Sequence, residues 1–554
     1  MDEAIEKYAL ENAVKFKGKA NPGAVIGSVI KDNPAVKKDM KSLQKKAMDI
    51  IKKVNSMKPD AQLKRLKELA PELLEKKEYK ERNIFDAFKA SGKVVTAFPP
   101  EPSKYPHIGH AKSLFINYEF AKYSKGKFVL RFEDTNPELA KEEFYKIHLD
   151  NYEWLGIKPD VIDYASDHME EFYRYAEKLI DLGKAYTCTC SVDDIRDKRM
   201  TGEACDCRYK HNGESMLSWQ NMPKMKEGSI ILRMKIDLKH KNSSMRDPTI
   251  FRIIKKPHCR IGDKYTVWPN YDFENAVMDG LEGVTHRFRS KEFEMKNELQ
   301  RYIQKLLGFN ETSIYEFARF NMIGVPSSGR IIREMVNKKQ LSGWDDPALT
   351  TIVALKRRGF LPEAIKNFVL STGITKAEST KTWDDLIVHN KRLLDAECNR
   401  YFMIEKPVRI RVQDAPEMNI NLKLHPEYPK RGMRVFKTDE LFYISNNDIK
   451  KFKDKKIYRL MDCLNFLKKN GYYIFKGTKY EDFKKNGDMI IHWLPVMKTL
   501  VDVKVLMPDK KVVEGIAEPL VAGLKVGDII QFERFGFCKL EKKNKSLHFI
   551  FTHK

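Results

Sequence analysis

The sequence predicts a multidomain α/β protein: an N-terminal helical domain, a Rossmann-like nucleotide-binding domain carrying an insertion, a helical connector and a C-terminal β-barrel region. Three observations predict it. The 554 residues exceed what one hydrophobic core organises, so several domains are expected. Around residues 93–138 the apolar pattern runs strand, loop, helix, strand, helix, the order of a β-α-β unit. After about Arg400, short alternating strands separated by Asp, Gly, Pro and Lys turns replace the helices.

Residues 1–87 are lysine-rich with a helical period. In KSLQKKAMDIIKKVNSM, the side chains of Leu43, Met48, Ile50, Ile51 and Val54 are expected to share one face. Residues 88–345 form the Rossmann-like domain. KVVTAF is its first strand, a proline-rich turn follows, and Ala111 to Tyr123 is an amphipathic helix. KFVLRFED is the second strand, leading through Thr135-Asn136-Pro137 into a helix expected near Glu138. A right-handed crossover makes the pair parallel. From about Tyr186 to Gly262, a cysteine cluster and IILRMKID break the rhythm, which reads as an insertion carried on the main sheet. The connector, 346–400, holds helices in GWDDPALTTIVALKRRG and in LPEAIKNFVLSTG, where Pro362 suits a helix N-terminus. In 401–554, PVRIRV, KVLMP, DIIQFERFGFCKL and LHFIFTHK are barrel strands.

Charge points to the partner. Lysine and arginine number 102 against 77 acidic residues, a net charge of +25, which favours a polyanion through phosphate contacts. Solvated lysine-rich helices give the same figure, so charge alone does not decide. No apolar run is long enough to cross a bilayer and no basic-then-apolar leader follows Met1, so a cytoplasmic protein without a membrane partner is expected. Four of eight cysteines cluster as C-x-C-x14-C-x-C: Cys188, Cys190, Cys205 and Cys207. Their type and pairing suit one tetrahedral structural Zn²⁺, with His211 able to replace one thiolate. Four protein ligands leave no open position for catalysis.

The most specific stretch is FPPEPSKYPHIGH, Phe98 to His110. His107 and His110 bracket Gly109 where a helix begins, so two imidazoles and free backbone N–H groups can meet the phosphates of ATP.

This passage resembles the HIGH signature of class I aminoacyl-tRNA synthetases, and VVTAFPPEPSKYPHIGHAK is similar to the glutamyl/glutaminyl subgroup. LRFEDTNPE, DKYTVWPNYDFENAV, LEGVTHRFRSKEF, LSGWDDPAL and AEPLVAGLKVGDIIQFERFGF resemble the same subgroup in the same order, and ENAVKFKGKANPGAVIG resembles the N-terminal domain of archaeal glutamyl-tRNA synthetases. The resemblance implies ATP with Mg²⁺, L-glutamate and tRNA as substrates, acceptor-stem contact by the insertion, anticodon contact by the barrels, and a monomer. It implies Asp134 against the substrate ammonium, Tyr271 beside it, and Arg289 against the side-chain carboxylate. A guanidinium there favours glutamate over glutamine.

Two positions depart from the family pattern. Ala97 stands where the subgroup has an arginine, with Arg131 and Lys104 the nearest basic candidates to compensate. The KMSKS-like loop falls on Pro326-Ser327-Ser328-Gly329-Arg330, placing Ser328, Gly329 and Arg330 at the nucleotide with glycine where the lysine is expected. Arg330 and Arg333 are the neighbouring cations. The alternatives are a glutaminyl-tRNA synthetase and a non-catalytic tRNA-binding paralogue, the second because both departures remove a charge.

Overall fold

The computed structural model describes all residues except Met1, Lys17, 74–82, Lys89, Ser91 and Ser327. Contacts divide the chain into two compact units, Met1–Asn83 and Ile84–Lys554.

Among its described residues the first unit has four α-helices, Asp2–Lys15, Pro22–Asp32, Met40–Ser56 and Pro59–Leu69. Asn21 caps the second by accepting from Ala24 N at 3.2 Å, with Pro22 preorganised in the first turn. Ile5, Leu10, Val25, Leu43, Ile51 and Leu66 meet in its core. Met48 does not join them. It is 57% exposed, and Ala47 occupies the buried face instead, because five residues advance a helix by about 500°, leaving Met48 well off the line of Leu43.

The second unit contains a five-stranded parallel sheet. In spatial order its strands are Val161–Tyr164, Lys127–Phe132, Val95–Phe98, His286–Ser290 and Ser313–Phe317. All pairings are parallel, so the chain runs 3-2-1-4-5, the mononucleotide-binding order. The order reverses beside Val95–Phe98, and ligands of such sheets sit where the carboxyl ends face that reversal. The Phe98–His107 loop, Glu133 and Asp134, and Arg289 all lie at those ends. Residues 84–87, grouped by sequence with the N-terminal helices, lie in this unit, where Phe85 packs on Phe120 and Phe288.

Two helix starts differ from expectation. The helix expected near Glu138 begins at Glu142: Asn136 holds a turn, its side chain accepting from Glu138 N at 3.1 Å and its carbonyl from Leu139 N. In GWDDPALTTIVALKRRG only Ile352–Arg358 is helical, because Asp346 accepts from Ser342 N and Ala348 N and Thr351 caps the helix that follows.

The insertion carries an antiparallel sheet of Ala185–Cys188, Ile231–Met234, Thr249–Ile253 and Val267–Pro269. Beyond Arg400 lie two seven-stranded sheets. The edge strands of one, Arg400–Tyr401 and Met403–Glu405, are separated only by Phe402, and those of the other, Gly487–Ile491 and Leu494–Pro495, are equally consecutive. Each sheet therefore rolls round until its edges meet through the chain, the geometry of a barrel. The connector is fastened to the last strand: Arg358 Nε donates to Thr552 O, Thr552 Oγ1 donates back to Arg358 O at 2.7 Å, and Asn390 contacts His553. Among the described residues no helix is long and apolar enough to cross a membrane.

Candidate active site

His107 caps the helix Ile108–Tyr123. Its Nδ1 accepts from Gly109 N at 3.0 Å, and His110 Nδ1 accepts from His107 N at 3.1 Å. Both Nδ1 atoms are acceptors, so a neutral ring carries its proton on Nε2. Burial holds both rings neutral, and the Lys104 and Arg319 cations add to it; His107 is lowered to about 4 and His110 falls well below the ordinary histidine value. Two neutral Nε2–H donors beside a helix N-terminus suit phosphate oxygens. A Cβ at Gly109 would lie 2.8 Å from His107 Cε1, so a side chain there would push the His107 ring off its cap. The segment is tied to the GWDD region by Ile108 N to Thr350 O and Ile352 N to Pro106 O.

Gly329 and Arg330 are not in a loop. They open the helix Gly329–Asn337, with Ser328 at its N-cap making no side-chain cap bond. Arg330 and Arg333 are exposed. The helix is held by Ile332, buried against Leu341, Leu349 and Ala354, and Trp344 of the same cluster stacks on Tyr105, with ring centroids 5.1 Å apart.

Around the fourth strand the structure brings Tyr271 and Arg289 together. Arg289 is 5% exposed. Its Nη2 donates to Tyr271 OH at 2.6 Å and its Nη1 to Gln300 Oε1 at 2.7 Å and Asn297 Oδ1 at 3.3 Å, while Phe293 lies under the guanidinium at 4.4 Å. Every one of these partners is neutral. A buried cation held only by neutral groups keeps its charge available to an anion.

Asp134 lies elsewhere. Its carboxylate is 1% exposed and accepts from Ser166 N at 2.7 Å, Ser166 Oγ at 2.8 Å and Tyr145 OH at 2.8 Å, with Arg260 at 3.6 Å. Glu133, its neighbour at the strand end, projects to the other side and accepts from Asn275 Nδ2 at 2.5 Å. Burial raises its pKa despite the Arg131, Arg287 and Arg289 cations, which act to lower it. Glu133, not Asp134, is the carboxylate on the Tyr271 and Arg289 side, because adjacent residues of an extended chain face opposite ways. Sequence reasoning missed it although RFEDTN contains both.

Arg131 is fully buried, bound by Asp279 at 3.1 Å, Glu282 at 2.6 Å and Glu133 at 3.5 Å. It has no free charge with which to replace the arginine absent at Ala97. Arg287 shares Asp279 and donates to Asn275 Oδ1 at 2.5 Å. Arg131 and Arg287 thus form one buried network that fixes Asn275 against Glu133.

The HIGH helix, the strand-end carboxylates and the arginine of THRFR fall within residues 93–396, which match the family described as tRNA synthetases class I (E and Q), catalytic domain. The chain belongs to the class I tRNA synthetases of the E and Q group. Residues 398–471 and 490–541 match the anti-codon binding domains of the same group. A glutamate--tRNA ligase of Pyrococcus furiosus is 39% identical, covering 99% of each chain, and one of Methanothermobacter thermautotrophicus is 36% identical, covering 100% of each. A crystal structure of a glutamate tRNA ligase from Elizabethkingia meningosepticum covers 56% of this chain and 71% of its own at 18% identity and a TM-score of 0.43.

In this synthetase-family chain the four clustered cysteines also converge. Cys188 ends an insertion strand, and Cys205 and Cys207 flank the start of the turn Asp206–Tyr209. Cys188 and Cys205 sulfurs are 3.9 Å apart, Cys190 and Cys207 4.0 Å, and the four ligand atoms lie within 4.8 Å of one another. Tetrahedral Zn–S bonds of about 2.3 Å require sulfurs about 3.8 Å apart, so the donor set fits a zinc ion. The guanidinium of Arg233 lies 3.9 and 4.0 Å from the Cys188 and Cys205 sulfurs, where it offsets thiolate charge. His211 is not among the ligands: it caps the helix Asn212–Asn221 and accepts from Gly213 N.

Proposed function

We propose that this chain is a glutamate--tRNA ligase, forming glutamyl-adenylate from L-glutamate and ATP and then esterifying the 3′-terminal adenosine of a glutamate-accepting tRNA. The observation that carries the choice of glutamate is Arg289, a buried guanidinium whose hydrogen-bond partners are all neutral. A side-chain carboxylate completes it with a charge-assisted pair, whereas an amide leaves the buried guanidinium without a hydrogen-bonded counter-charge. Full-length similarity to ligases named for glutamate supports the same choice.

In this reading Tyr271 and Arg289 hold the substrate side chain and Glu133 holds its ammonium. His107 and His110 donate to the phosphates of ATP, with Gly109 giving close approach and the Ser328 to Arg330 segment on the other side; Mg²⁺ accompanies the nucleotide. Activation then rests on positioning and charge stabilisation, since the glutamate carboxylate is already ionised and no proton need be abstracted. The domains from residue 401 onward hold the anticodon arm and the insertion, about 186–262, approaches the acceptor stem, with lysine and arginine neutralising phosphates. Zinc on Cys188, Cys190, Cys205 and Cys207 holds the insertion in shape and takes no part in the chemistry.

The direct test is aminoacylation by the purified full-length protein with ATP and unfractionated tRNA, glutamate against glutamine. Glutamate is expected to be esterified and glutamine not; charging with glutamine alone would overturn the assignment. Protein prepared without chelator is expected to contain one zinc per chain, and Cys188→Ser with Cys190→Ser to lose it and to weaken tRNA charging more than adenylate formation. Metal analysis finding no zinc would sink the structural-zinc reading.

A further inference from the structure

The nucleotide segment lacks a lysine at Gly329, and the structure puts another lysine against that glycine. A Cβ added to Gly329 would lie 3.5 Å from Lys104 Cδ and 3.9 Å from Lys104 Cβ, with Trp344 at 3.8 Å. The methylenes of Lys104 therefore run across the face that a side chain at 329 would cover. Its main chain is anchored: the Lys104 carbonyl accepts from His148 Nε2 at 2.8 Å, and His148 Nδ1 accepts from Tyr152 OH at 2.7 Å. His148 is held neutral by burial, lowered to about 4, as that pattern requires. The ammonium acts on His107 and His110, depressing both. Arg319, the other cation acting on these two rings, is paired with Glu292, whereas Lys104 forms no ion pair among the described residues.

We propose that Lys104 binds the β- and γ-phosphates of ATP during amino-acid activation, in place of the lysine absent at Gly329. This rests on the ligase reading above. The step balances without a proton transfer: a glutamate carboxylate oxygen bonds to the α-phosphorus, the bond from that phosphorus to the bridging oxygen breaks, and the electron pair leaves with pyrophosphate. The Lys104 ammonium, still protonated, neutralises the charge gathering on that leaving group. A lysine reaching across from the HIGH loop does so as a point charge, which the exposed guanidinium of Arg330 does not reproduce.

The test is ATP–pyrophosphate exchange by the full-length protein with tRNA present, alongside equilibrium binding of ATP. Lys104→Met keeps the methylenes against Gly329 and removes the charge. It is expected to lower the exchange kcat roughly 100-fold, to weaken ATP binding about tenfold, and to leave the KM for glutamate within about threefold, with an unchanged unfolding midpoint. Adding Gly329→Lys to Lys104→Met returns a cation to the same space and is expected to recover about tenfold or more of the exchange. Exchange and ATP binding in Lys104→Met within about threefold of the parent would overturn the proposal. So would a loss that Gly329→Lys does not relieve, since that is the behaviour of a packing role. The two readings separate cleanly: exchange supported by glutamine instead of glutamate refutes the choice of substrate, while the ATP-binding comparison still decides Lys104.

Discussion

Asp279→Ala is expected to lower the thermal unfolding midpoint of the full-length protein more than any exposed charge removal. Asp279 is 3% exposed and serves two buried guanidinium groups, Arg131 at 3.1 Å and Arg287 closer still. Removing it strands part of two charges in a medium that solvates them poorly, a change that costs about 3–5 kcal/mol. For a unit of this size the shift is on the order of 3–5 °C. Arg131 retains Glu282, whose own pKa burial has pushed up to about 7, so the compensation left is incomplete. The control is Lys146→Ala, which removes an exposed pair to Asp150 and is expected to change little. A functional effect should accompany the structural one. Arg287 positions Asn275, and Asn275 positions Glu133, so the surviving folded protein is expected to show a raised KM for glutamate. Equal unfolding midpoints for Asp279→Ala and Lys146→Ala would show that this network does not stabilise the fold.

How far the sequence could be read depended on the range of the interaction involved. Period and turn chemistry are local, and they located the first two parallel strands, Pro362 at its helix start and the short strands after Arg400. The strand–loop–helix setting singled out His107 and His110, which share one helix start, and the family resemblance singled out Tyr271 and Arg289, which the structure brings into contact. Face assignment failed where it depended on a fraction of a turn. Met48 sits in an apolar segment yet points outward, and Asp134 sits in the right motif yet faces Tyr145 and Ser166, while Glu133 faces the other way. Nothing in RFEDTN says where the pleat ends. Helix starts failed where a side chain competed for the backbone, as Asn136 and Asp346 do. That Lys104 runs across the face a side chain at Gly329 would cover was not legible at all. The two lie in different motifs, and only the folded chain, with the GWDD segment tied to Pro106 and Ile108, places them side by side. The same limit applies to Arg131, whose candidacy to replace the arginine missing at Ala97 rested on proximity along the sheet. Proximity was right, but Asp279, Glu282 and Glu133 already claim its charge.

Arg289→Cys is expected to raise the glutamate requirement while leaving ATP and tRNA binding close to the parent. The guanidinium makes three hydrogen bonds, to Tyr271, Gln300 and Asn297, and stacks on Phe293. None of these supplies a negative charge, so the substrate carboxylate contributes the charged hydrogen-bond partner of the group, while Glu133 acts on it without a hydrogen bond. Losing a buried charge-assisted pair costs about 2–4 kcal/mol, which is roughly 30- to 1,000-fold in kcat/KM for glutamate. The smaller side chain also leaves Tyr271 OH and Gln300 without their partner, which adds to the loss and blurs its origin. Arg289→Lys separates the two contributions. It keeps a positive charge but not the planar fork, so it is expected to fall between the parent and Arg289→Cys. Discrimination is the sharper readout. With the cation gone, the pocket no longer penalises a neutral amide, so the ratio of glutamate to glutamine activation should fall even as both rates drop. Unchanged kcat/KM for glutamate in Arg289→Cys, or an unchanged ratio, would show that the charge recognised by the substrate lies elsewhere in the site and would remove the physical basis for choosing glutamate.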